Sequence, residues 1–293
     1  MAEAHAKQQH DYHLVPLSPW PFIGSMSAFV MAVGAVMWMK AMPLAGLQLG
    51  WVLFSAGLIG VLYTMFGWWS DVIREGQEGH HTRVVSLHLR YGMIMFIASE
   101  VMFFVAWFWA YFDAAFFPGE AIQYQRTELT GGHWPPKGIA TFNPLQLPLL
   151  GTLVLLLSGT TVTAAHHYIV TGEREQAKMY LWFTVVLGVL FTCLQIYEYT
   201  HAYFSFSGNI YGATFFMATG FHGFHVVVGT IFLLVCVLRL YRETHLTPEK
   251  HFGFESAAWY WHFVDVVWLF LFAAIYVWGH DWAGRALAGA AGH

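Results

Sequence analysis

Seven stretches of this chain are long and apolar enough to cross a lipid bilayer, and this dictates a helical membrane fold. They run from Phe22 to Met39, Leu47 to Trp69, Tyr91 to Phe112, Pro148 to His167, Met179 to Thr200, Tyr211 to Leu238 and Ser256 to Gly279. A spanning helix needs about 20 apolar residues. The first stretch is the shortest, and the sixth is long enough to tilt or to project from the bilayer. None shows the strict alternation of a membrane β-strand. The expected fold class is therefore an all-α integral membrane protein with seven transmembrane helices.

Composition agrees. Hydrophobic residues make up 57% of the 293 positions and charged residues only 10%, against about 25% in soluble domains. The formal net charge of -4 leaves no basic footprint, so no nucleic-acid partner is expected. Cys193 and Cys236 both fall inside apolar runs, which fits packed thiols rather than a disulfide framework. The opening MAEAHAKQQHDYH lacks the basic and then apolar regions of a secretory signal, so the first apolar run is expected in the mature protein.

Lys and Arg in the connections set the expected orientation. With the N-terminus inside, nine of the 13 basic residues fall on the inner side, among them Arg74, Arg83, Arg90, Arg174, Lys178, Arg239 and Arg242. The expected organisation is an inner N-terminal segment 1–21, two helices in 22–69, a polar connection 70–90, five helices in 91–279 and an outer tail 280–293. The long connection from Asp113 to Leu147, rich in Pro and Gly, reads as a surface loop. Helices one and two are candidates for a separable hairpin.

Three carboxylates sit inside apolar runs: Glu100, Glu198 and Asp265. No Lys or Arg lies within a run away from its ends, so none has an obvious salt-bridge partner. Glu100 is near the middle of the third span, where desolvation favours the protonated acid. It reads as a proton-linked or partner-facing carboxyl, or as a structural group bonded to a neighbouring helix. Glu198, near the end of the fifth span, is expected to reach the interface. His222 and His225 are three residues apart in the sixth span, as are His262 and Asp265 in the seventh. On facing helices the two pairs build a polar seam. Metal or haem ligation needs further convergent ligands, so packing or lipid contact is the expected role. Trp68, Trp69, Arg74 and Glu75 in GWWSDVIRE, with Arg239 and Arg242, mark inner helix ends that anchor at headgroup level or hold anionic lipid.

Several strings, in order along nearly the whole chain, resemble one family. They are SPWPF at 18–22, WWSDVIRE at 68–75, RYGMIMFIASEVMFF at 90–104, HWPPKGI at 133–139, AHH at 165–167, TGFHGFHVVVGT at 219–230 and HFGFESAAWYWHFVDVVWLF at 251–270. The chain resembles cytochrome c oxidase subunit III. The resemblance implies a two-helix hairpin and a five-helix bundle separated by a lipid-filled cleft. It implies a subunit of a proton-pumping oxidase that passes electrons from cytochrome c to dioxygen. Subunits I and II are the implied partners and carry the haems and copper; this chain carries none, binds phospholipids and supports proton uptake. By motif, Glu100 matches the family's buried carboxyl. Trp69, Arg74, Glu75, His225, Arg239 and, more weakly, Arg242 match lipid-cleft positions.

Other readings separate by their requirements. A quinol oxidase subunit generally lacks the first two helices. A transporter needs broken helices around a midplane site, and a haem protein needs paired axial ligands. A retinal photoreceptor would need a Lys in the last span, which has none. The Ala-rich N-terminus and the Ala- and Gly-rich tail suggest a bacterial inner membrane as the location.

Overall fold

The computed structural model describes residues 11–14, 16–43, 46–119, 124–136, 138–242 and 245–282. Lys7, Lys137, Arg285 and most of the expected outer tail lie outside the described residues. The described elements are α1 (Trp20–Met39), α2 (Gly50–Gln77), α3 (Arg83–Phe116), the short α4 (Tyr124–Thr130), α5 (Leu147–Thr171), α6 (Arg174–Thr200), α7 (Ile210–Leu240) and α8 (Phe252–Leu271). A π-helical turn, Phe272–Trp278, continues α8. All but α4 belong to the seven helices long and apolar enough to span a membrane. The chain divides into two compact units at residues 89 and 90.

In the first unit, α1 and α2 pack backbone to backbone. A Cβ on Gly34 would lie 2.2 Å from the Phe54 amide nitrogen, and one on Gly57 would lie 2.3 Å from that of Met31. Small residues permit this approach, and the close van der Waals contact it brings drives helix association in lipid. Trp20 fixes the ends of the pair, its indole N–H donating to Asp71 Oδ2 at 2.6 Å.

The expected connection 70–90 is mostly helix. The polar stretch SDVIREGQ continues α2 to Gln77, and α3 opens at Arg83, where Thr82 Oγ1 accepts from the Val85 amide at 3.3 Å. Only 78–82 remain between them. Helix propensity and capping carry these helices past the end of their apolar stretches, which hydropathy alone does not register.

In the second unit the core lies among α5, α6, α7 and α8. Most of α8 is buried, whereas α3 is largely exposed along its length. Trp261 and Trp268 anchor α8 to α5: their indole N–H groups donate to Ser158 Oγ and Thr152 Oγ1, each at 2.9 Å. Thr161 and Thr184 join α5 to α6 at 2.8 Å. Aromatic α3 residues Phe104, Phe108 and Tyr111 enter the same core. In the connection after α3, Arg126 of α4 pairs with Asp113 at the end of α3 at 2.5 Å.

Arg174 opens α6 and ties down the end of α7. Its guanidinium donates to the carbonyls of Leu240, Arg242, His245 and Leu246 at 2.7–3.2 Å. These carbonyls lie at a helix C-terminus and in the turn after it, where intrahelical donors run out.

Candidate functional site

Glu100 is not alone at membrane depth. α3 and α7 bring its Oε2 to 2.9 Å from His225 Nε2. The other ring nitrogen, Nδ1, lies 2.6 Å from the Phe221 carbonyl. A carbonyl only accepts, so Nδ1 carries a hydrogen. The Glu100 contact then holds one further proton: O–H donates to Nε2, or N–H donates to the carboxylate. The unit is neutral overall in both forms, which is what a low-dielectric setting favours. Phe103, Phe104 and Phe263 pack around the imidazole, and Tyr260 stacks with it. His225 is 6% exposed. Both of its nitrogens have partners within the chain, on α7 itself and on α3.

The expected polar seam does not form as one unit. His222 is fully buried; its Nε2–H donates to the Val264 carbonyl at 3.1 Å, and its ring packs on Trp268 and Phe191. His262 instead reaches α5, with Nε2 3.2 Å from Thr163 Oγ1. Asp265 also turns to α5, its Oδ2 lying against Gly159. Residues three apart share a helix face, but the seventh span turns that face to α5, while His222 meets its backbone elsewhere. Among the described residues no group of three or more His, Cys, Asp or Glu could hold a metal ion.

Glu198 departs from expectation in burial. It is 3% exposed, and its Oε1 accepts from Tyr276 at 2.6 Å. Its place near the end of a span suggested access to the interface; the π-helical turn after α8 covers it.

The basic and aromatic residues at helix ends are arranged as follows. Trp69 is exposed. Arg74 pairs with Asp71 and keeps most of its side chain exposed. Glu75 faces His13 at 3.7 Å. Arg239 is half-buried, its Nε without a hydrogen-bond partner, and Arg242 is exposed. Outside the spans, His245 has its pKa lowered, first by burial and then by Arg239, Arg242 and Arg174.

Sequence reasoning missed two partnerships, Glu100 with His225 and Glu198 with Tyr276. Each joins residues far apart in the chain, and spacing within one span carries no signal for them.

The fold and site define a polytopic helical membrane protein in which the intramembrane carboxyls Glu100 and Glu198 are hydrogen-bonded within the chain. Comparison with known proteins is more specific. The family model described as cytochrome c oxidase subunit III matches residues 10–280. Proteins named cytochrome c oxidase subunit 3 are similar over 273 residues, covering 93% of this chain and 98% of theirs: 55% identical in Arabidopsis thaliana, 54% in Marchantia polymorpha and 50% in Rattus norvegicus. The chain belongs to the cytochrome c oxidase subunit III family.

The comparisons also correct the location. These relatives at 50–55% identity come from eukaryotes, and the bacterial inner membrane read from the termini is not supported. The composition of the two ends carries no information about compartment.

Proposed function

We propose that this chain is the non-redox core subunit III of a proton-pumping cytochrome c oxidase, packed against subunits I and II and reaching cytochrome c only through the complex. The observation that carries this reading is the family match over residues 10–280, which takes in both units. Purification under mild detergent tests it: the chain should emerge with haem-bearing partners. A lone chain with its own haem spectrum would refute the reading.

Within that role, Glu100 and His225 act as one proton-holding unit. Its chemistry is a proton shared between Oε2 and Nε2, positioned by the Phe221 carbonyl. In the assembled complex, an infrared band removed by Glu100→Gln should shift in His225→Phe. A band that stays in place would show that the two groups are uncoupled. His222, His262 and Asp265 are read as packing groups.

Phospholipid headgroups bind at Arg74, with Trp69 and Glu75 beside it, and at Arg239 and Arg242. The lipid-filled cleft implied by the resemblance belongs to this proposal. A guanidinium at a helix end, exposed in Arg74 and Arg242 and half-buried in Arg239, suits a phosphate. Replacing Arg74 and Arg239 by Ala should lower the phospholipid phosphorus that copurifies with the complex; an unchanged content would dismiss the assignment.

A further inference from the structure

The C-terminal end of α6 holds a buried carboxyl, Glu198, which the proposed function does not use. Glu198 Oε1 accepts from Tyr276 at 2.6 Å and from Gln195 Nε2 at 3.4 Å. Tyr276 lies in the π-helical turn that follows α8, a local departure often found at functional positions. Gln195 is 7% exposed, and its buried Oε1 has no hydrogen-bond partner. A buried amide oxygen left this way is the exception in folded proteins.

Beside both side chains is a cavity of about 10 Å³, walled by Gly151, Phe191 and Trp268 among others. A volume of roughly 10–15 Å³ on this measure holds one water, provided that it meets two to four polar partners. Gln195 and Glu198 supply two. The other walls are apolar, so a chain of waters gains nothing there. A metal cation would require more oxygen ligands than this pair offers.

We propose that this cavity binds a single water molecule, which donates to Gln195 Oε1 and hydrogen-bonds the Glu198 carboxyl. The water completes the amide and gives Glu198 a polar neighbour besides Tyr276. The arrangement is separate from the Glu100–His225 pair and does not depend on its role.

The test is a map of the assembled complex at a resolution that shows buried waters. A peak is expected within hydrogen-bond distance of both Gln195 Oε1 and Glu198. Gly151→Ala provides the control. A Cβ there would meet Phe191 at 3.4 Å and Trp268 at 3.9 Å, close to ordinary contact, so the fold should survive while the cavity fills. The peak should vanish in this variant with the Tyr276 bond to Glu198 retained. The proposal is overturned if the parent map lacks the peak while resolving other buried waters, or if the peak touches neither side chain. A peak that persists in Gly151→Ala, or density for an acyl chain in the cavity, also overturns it.

Discussion

Replacing Arg174 with Met should loosen the end of α7 far more than any neighbouring surface change. Two Nη atoms make five contacts of 2.7–3.2 Å with four carbonyls. Hydrogen bonds to a charged group contribute about 1.5–3 kcal/mol each. Here four acceptors share two nitrogens, so the contributions do not add. A loss of about 3 kcal/mol is a reasonable value for the whole guanidinium. Cys236 provides the assay. It is 1% exposed and lies one turn before the end of α7. Labelling by a thiol reagent reports opening of that end, with Cys193 changed to Ser to remove the exposed thiol. Since 1.4 kcal/mol corresponds to tenfold, Arg174→Met should label Cys236 about 100-fold faster. Arg174→Lys, with one compact ammonium in place of the fork, should fall between. Labelling of Arg174→Met within twofold of the parent would refute the claim that this side chain holds the α7 terminus.

Other predictions rest on separate features. His225→Leu should destabilise the chain, and adding Glu100→Leu should recover part of the loss. A coupling of about 1 kcal/mol is expected from a double-mutant cycle in detergent unfolding, and strict additivity would count against the pair. Gly57→Val should force α1 from α2, because a Cβ there meets the Met31 backbone at 2.3 Å. Faster proteolysis within residues 40–49 is the readout, and a rate equal to that of the parent would contradict the backbone contact. His245 has a folded pKa below its ordinary value of 6.5, so the unfolded chain binds more protons in the interval between the two. Its contribution is therefore fully present above about pH 6.5 and declines as pH falls toward the folded value. Unfolding midpoints should drop on acidification below that pH, less so in His245→Gln; equal pH dependence of the two proteins would rule this out.

The sequence by itself determined the membrane class, the number of spans and the family. Each follows from local information: about 20 apolar residues are needed whatever packs beside them, and the strings from SPWPF to HFGFESAAWYWHFVDVVWLF identify the family in order along the chain. It also located the intramembrane carboxylates, because an acidic residue inside an apolar run is visible without a fold. Tertiary structure alone decided their partners. Glu100 meets His225 across 125 positions and Glu198 meets Tyr276 across 78; His262 and Asp265 turn toward α5 rather than toward His222. Helix rotation and pairing decide such contacts, and they arise from the summed packing of many side chains, such as Trp261 on Ser158 and α1 on α2 at Gly34. That sum leaves no periodic trace in any one segment.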